Sequence, residues 1–299
     1  MNDRIRHGIL ATVGHTPLVR LTGVAAGSGL EVHAKLERFN PSGSTEDRTA
    51  LDLLMPPIRS GELVPGRPVV LEADSGNLAV SLAQACRYYD LDLHLVVDPD
   101  TLAPWHRAML RAFGARAHDE RLDRLAQRAD ALAATLAGSY RPAQPAGPNG
   151  ALMREICQAL PTDTDYLFCP SSSPGALRGV LAFVRSRQLP TRVVVVADDP
   201  AAVPALGPSD LVESVGAAAA AAGCRRLLDR EGLLAGRSSG AVVAALAQLH
   251  RRLDRGAVCV LVLPDGGDRY AETLYDDAWV ASQLGTLPEL PLGRQETAR

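Results

Sequence analysis

Short apolar runs alternate with amphipathic stretches along this chain. EVHAKL at Glu31–Leu36, PVVL at Pro68–Leu71 and LDLHLVV at Leu91–Val97 read as strands bounded by turn residues. YLFC at Tyr166–Cys169, VVVVA at Val193–Ala197 and VCVLVL at Val258–Leu263 read as further, fully buried strands. Helical spacing of apolar residues predicts helices over 78–89, 177–187, 217–231 and 239–253. The clearest amphipathic helix spans 121–136, where Leu122, Leu125, Ala129, Leu132 and Leu136 share a face opposite arginines and acids. Strands that alternate with helices predict an α/β fold with mostly parallel sheets.

Composition narrows the function. The chain has 299 residues, 46% hydrophobic and 22% charged, with a formal net charge of -3. Such a length suffices for a large core or two ordinary lobes. A near-neutral charge and 4% aromatic residues speak against nucleic acid as a partner. Five scattered cysteines without a CxxC exclude a disulfide framework and a zinc finger, and fit a reducing cytoplasm. No apolar run approaches the ~20 residues that cross a bilayer, and the charged N-terminus lacks a signal-peptide core. The Pro- and Gly-rich stretch 139–150 reads as a connection between two lobes, and 285–299 as a loosely held tail.

Ligands of α/β sheets sit where strands lead into helices. Three loops of that kind carry small polar residues: NPSGSTEDR at Asn40–Arg48, EADSGNL at Glu72–Leu78, and PSSSPGALRG at Pro170–Gly179. Backbone N–H groups and hydroxyls in such loops bind anions, although the same residues also cap helices.

Taken in order, these motifs resemble the cysteine synthase group of fold-type II pyridoxal-phosphate enzymes, which includes 2,3-diaminopropionate-pathway synthases. The resemblance runs through VGHTPLVRL at Val13–Leu21, AKLE at Ala34–Glu37, the Asn40–Arg48 loop and SGN at Ser75–Asn77. It continues through GLLAGRSSG at Gly232–Gly240, LPDGGDRY at Leu263–Tyr270 and TLYDD at Thr273–Asp277. It implies a two-lobed architecture like that of the tryptophan synthase β chain. The cofactor would lie between a larger lobe (1–39 plus 140–284) and a smaller one (40–139). A homodimer is also implied.

The chain departs from the family at several positions. Where the family motif PGGSxKDR carries the lysine that forms the Schiff base, this sequence has Glu46. A carboxylate cannot form that bond. Of the 31 basic residues only Lys35 is lysine, and it falls on a strand where the family has a non-catalytic lysine. The family's phosphate loop GTGGT aligns with SSPGA at Ser172–Ala176, where Pro174 removes a backbone donor. Gly266 stands where relatives often place a serine against the pyridine nitrogen. In the carboxylate loop, Asp74 and Leu78 replace residues suited to an anion, while Asn77 is kept.

The expected site therefore comprises Glu46 and Asp74 as the acid–base candidates. Ser44, Ser75, Gly76, Asn77, Ser171, Ser172, Ser173, Gly175 and Gly266 are the ligand-binding candidates, and no resident metal is expected. No cofactor is expected either, pyridoxal phosphate being implied by resemblance only. Three functions stay open. One is a cofactor-free pseudoenzyme that serves a pathway enzyme or binds a small metabolite, in amino-acid or secondary metabolism. Another is a cofactor-independent lyase or transferase in which Glu46 and Asp74 form a carboxylate pair or hold a hard cation. The third is an ordinary β-replacement synthase making cysteine or 2,3-diaminopropionate.

Overall fold

The computed structural model describes residues 6–142, 150–199, 203, 206–207 and 210–292. Along the chain run β1 (Leu18–Arg20), β2 (Glu31–Leu36), α1 (Glu46–Arg59), β3 (Pro68–Ala73), α2 (Gly76–Tyr88), β4 (Asp92–Val97) and α3 (Pro104–Phe113). Next come β5 (Arg116–Asp119), α4 (Leu125–Thr135), α5 (Ala151–Ala159), β6 (Tyr166–Pro170), α6 (Pro174–Ser186) and β7 (Arg192–Ala197). The last are β8 (Leu211–Ser214), α7 (Ala217–Glu231), α8 (Arg237–Leu249), β9 (Val258–Leu263) and α9 (Asp277–Gln283). Contacts divide the chain into two compact units, Met1–Val13 with Asn40–Gly147, and Gly14–Phe39 with Pro148–Arg299. Residues 6–13, which the sequence reading grouped with the larger lobe, fall in the first unit.

The first unit holds a parallel sheet in the order β3-β4-β5. β3 and β4 are mostly apolar because both of their faces are covered, whereas the edge strand β5 is polar and largely exposed. Leu71 and Leu95 pack with Leu54 of α1 and Leu82 of α2 in one core, while Val70 and Val96 meet Leu125 and Ala129 of α4 in another.

The second unit carries six strands in the order β1-β2-β9-β6-β7-β8, all parallel but for the antiparallel β1-β2 pair. The all-apolar VCVLVL becomes β9, flanked on both sides by paired strands, and so lacks the alternation of a half-exposed strand. Fully burying leucines such as Leu227 and Leu246 stabilises this core by about 1.5–3 kcal/mol each. The α7–α8 contact depends on two glycines: a Cβ on Gly223 would lie 2.0 Å from the carbonyl oxygen of Gly240. That close approach fixes the N-terminal end of α8, where Ser238 and Ser239 sit.

The predicted strands are present, several longer by one or two residues. Two sequence readings need correction. Glu46, Asp47 and Arg48, read as loop, form the first turn of α1, where acidic side chains favour the positive end of the helix dipole. Pro56 and Pro57 within α1 mask its periodicity, although Ala50 and Leu54 keep the four-residue spacing of its buried face. The segment up to Leu292 is not a loose tail. Leu292 is buried in the core of the second unit, and its carbonyl oxygen accepts from Arg226. The rest of the expected tail, and residues 143–149 of the expected connection, lie outside the described residues. Among the described residues no helix is long and apolar enough to cross a membrane.

Candidate functional site

In the first unit, the turn Pro41–Ser44 delivers the chain into α1. Gly43 adopts φ +89°, a left-handed conformation that favours glycine. Ser44 is fully buried, and its Oγ accepts the backbone N–H of Glu46 at 3.3 Å. Ser42 N–H donates to Asp47 Oδ2 at 2.7 Å, and Ser42 Oγ lies 2.9 Å from Ser81 Oγ of α2. Glu46 is only 4% exposed. Beside it, the buried Thr45 Oγ1 has no hydrogen-bond partner among the described residues. A buried hydroxyl left without a partner is costly and marks a place where a ligand atom can bind.

The second loop of this unit connects β3 to α2. Ser75 is the N-cap of α2, its Oγ accepting from Leu78 N–H at 3.3 Å. That bond is the structural capping role, so the hydroxyl of Ser75 is already engaged. Gly76 is buried beneath the imidazole of His106, where an added Cβ would come within 2.6 Å of ring atoms. The ring is held by the Ala103 N–H, which donates to His106 Nδ1 at 3.1 Å. His106 therefore borders the loop of Ser75, Gly76 and Asn77, a neighbour not evident from the sequence. Asp74 is exposed, in contrast to buried Glu46.

In the second unit, β6 ends at Pro170 and the chain passes through Ser171, Ser172 and Ser173 into α6. Ser171 N–H donates to Val196 O at 2.8 Å, extending the strand pairing by one residue. Ser172 Oγ lies 2.8 Å from Ser238 Oγ at the start of α8. Ser173 is buried, and its side chain makes no capping bond to α6. Pro174 takes the first turn of α6, where a missing N–H costs least, and Gly175 follows it. One residue beyond Ser238, Ser239 Oγ is completely buried with no partner among the described residues. Two adjacent helix starts thus present hydroxyls, the arrangement suited to an oxyanion.

Gly266 forms an isolated bridge with Ala235. A Cβ there would lie 2.4 Å from Asp268 Oδ1 and 3.1 Å from the guanidinium carbon of Arg38. Arg38 donates to Leu234 O at 2.8 Å and reaches Asp268 at 3.4 Å. The space a serine side chain would need is thus lined by Arg38 and Asp268. Around it, Tyr270 donates to Asp265 Oδ2 at 2.9 Å, and burial followed by that carboxylate pushes the phenol well above its usual range. Tyr275 donates to Ala235 O at 2.6 Å. Cys224 Sγ donates to Gly236 O at 3.2 Å, and burial raises this thiol to about 12, so it is no nucleophile. Ser238, Ser239, Asp265 and Tyr270 fall inside motifs visible in the sequence without standing out there, and Arg38 falls between two of them.

Lys35 lies on β2, 2% exposed. Its Nζ donates to Thr16 O at 2.6 Å and to Glu155 Oε2 at 2.7 Å. The chain's single lysine is therefore locked in a buried ion pair. Among the described residues no group of three or more metal-ligating side chains occurs.

The sequence pattern of the family described as pyridoxal-phosphate dependent enzyme matches residues 9–210. A relative from Ralstonia nicotianae, an N-(2-amino-2-carboxyethyl)-L-glutamate synthase, is 34% identical over 93% of this chain and 92% of its own. Among solved structures, O-ureido-L-serine synthase is 29% identical, with a TM-score of 0.76 over 93% of this chain and 99% of that one. A lysine-to-alanine mutant of that enzyme, bound to O-ureido-L-serine, gives 0.80 over 93% and 98% at the same identity. O-acetyl serine sulfhydrylase isoform 3 from Entamoeba histolytica gives 0.75 at 25% identity, over 92% and 93%. These findings correct the expectation of no cofactor, since the family and its synthases point to pyridoxal phosphate. The residues present fit part of that group. In the second unit Ser171–Ser173 and the orphan hydroxyl of Ser239 suit its phosphate, whereas Lys35, locked to Glu155, offers no amine to its aldehyde. With its mostly parallel α/β fold, its ordered motifs and a match over two-thirds of its length, the chain belongs to the pyridoxal-phosphate dependent enzyme family and is cysteine synthase-like within it.

Proposed function

We propose that this protein is a synthase-family member that has lost lysine-dependent turnover. It binds pyridoxal phosphate without a covalent bond to lysine, binds an amino-acid ligand, and acts as a homodimeric partner or regulatory subunit in amino-acid or secondary metabolism. The observation that carries this reading is Glu46, buried at the start of α1 where the family motif has its lysine, in a chain whose only lysine is spent on Glu155. Pyridoxal phosphate, when bound, supplies an electron sink for bond changes at the α-carbon of an amino acid. In the second unit the hydroxyls of Ser171, Ser172 and Ser173 would hold its phosphate. In the first unit the N–H groups at the start of α2 would receive an amino-acid carboxylate. That a lysine-to-alanine mutant of one neighbour is bound to O-ureido-L-serine supports ligand binding in this fold after loss of a lysine.

The test compares turnover and binding in the same preparation. The purified chain, incubated with pyridoxal phosphate, O-acetyl-L-serine and sulfide, should make cysteine no faster than the cofactor alone. Calorimetric titration should nevertheless show saturable uptake of pyridoxal phosphate. Protein-dependent turnover, or an absence of uptake, overturns the reading.

A further inference from the structure

A cavity of about 1280 Å³ lies within the second unit, apart from the loops of the candidate site. Its walls come from the last two turns of α7, the turn 27–30 before β2, the segment 250–255 after α8, and the stretch 287–292. Five guanidiniums line it, from Arg225, Arg226, Arg230, Arg251 and Arg255, together with His250. Only two carboxylates, Asp229 and Glu289, stand against them in the lining.

The arginines divide into two sets. Arg225 and Arg226 are anchored. Arg225 donates to Leu274 O and pairs with Asp277, while Arg226 donates to Val24 O and Leu292 O. Each still keeps one buried nitrogen without a partner among the described residues, Nη2 of Arg225 and Nε of Arg226. Arg230, Arg251 and Arg255 form the second set, exposed and without a carboxylate partner among the described residues. Burial, followed by repulsion from Arg230, lowers the proton affinity of Arg226. A cavity that disfavours its own positive charge gains from a bound anion. The rest of the wall is largely apolar, with Leu30, Leu253, Leu287 and Leu290.

We infer that this cavity binds a small organic polyanion carrying two or more phosphate or carboxylate groups. Guanidinium forks grip such groups bidentately, and the leucines can pack against the non-ionic body. The volume exceeds the need of a single inorganic anion, and the excess of guanidiniums over carboxylates calls for several negative charges. The inference stands apart from the reading of Glu46 and survives its failure.

The test uses the full chain in about 0.15 M salt, where surface attraction is screened beyond a Debye length. Melting temperature is followed against tripolyphosphate, ATP and citrate, with sodium chloride at matched ionic strength as control. At least one of the three should give a saturable rise that the control lacks. In Arg230→Gln/Arg251→Gln the melting temperature without ligand should not fall, while the midpoint concentration rises about tenfold or more. Response to tripolyphosphate and ATP identifies a phosphate ligand, response to ATP alone adds a requirement for the apolar body, and response to citrate identifies a carboxylate. If no anion stabilises beyond the control, or if the double variant responds as the parent does, the inference is overturned.

Discussion

Replacing Lys35 by Met tests whether the only lysine is structural. The ammonium is 2% exposed, with Glu155 Oε2 at 2.7 Å and Thr16 O at 2.6 Å. At an effective dielectric of about 20, opposite charges at that separation attract by about 6 kcal/mol. Desolvation of both charges offsets much of this, so the relevant quantity is the cost of removing one partner, about 3–5 kcal/mol for a buried pair. Glu155 keeps 15% of its side chain exposed, which lets water recover part of its loss and favours the lower end, about 3 kcal/mol. Urea denaturation followed by circular dichroism measures this directly. Lys35→Met should lose about 3 kcal/mol, and Glu155→Met added to it should return part of the loss, because no lone carboxylate then remains. A Lys35→Met protein within about 0.5 kcal/mol of the parent would refute the argument.

Other predictions follow from the same structure. Restoring lysine by Glu46→Lys should not recover cysteine formation from O-acetylserine and sulfide, because Pro174 and the crowded Gly266 remain; robust turnover would falsify this. Of the five thiols only Cys157 is exposed, and burial holds Cys86, Cys224 and Cys259 at about 12. A thiol reagent at pH 8 should therefore label one cysteine in the native protein, and early release of a second would contradict the burial. His118 has its proton affinity lowered by burial and by neighbouring His94, whose Nδ1 lies 3.1 Å from its Nε2. The unfolded histidine accepts a proton near pH 6.5 while the folded one resists it, so stability should fall as pH drops from 7 towards 5.5. His118→Asn should flatten that part of the profile.

Much of the fold was legible because its strands are continuous apolar runs and its helices have a single apolar face. Val258–Leu263 and Ala217–Glu231 match their sequence readings residue for residue. The helix starting at Glu46 was missed, since a turn-forming NPSGS precedes it and two prolines sit in its last turns. Short edge strands such as Leu18–Arg20 and Leu211–Ser214 carry too few residues for periodicity to register. Of the site, family motifs singled out the loops Asn40–Arg48, Glu72–Leu78 and Pro170–Gly179, but contacts that depend on distant segments did not appear in them. His106 over Gly76 and Arg38 beside Gly266 join residues 30 or more positions apart, and only the folded chain reveals them. The expectation of no cofactor rested on the changes at Glu46, Pro174, Gly266 and Asp74 taken together. Each of these changes bears on one contact, whereas the family match spans residues 9–210 and points to pyridoxal phosphate.

The most direct test of the central claim is a visible absorption titration of the purified protein with pyridoxal phosphate, followed by borohydride reduction and peptide mapping. The account predicts saturable binding with no reduced label on Lys35 or the N-terminal amine. A label on either amine would contradict it, and would return lysine-type or amine-dependent catalysis to this protein.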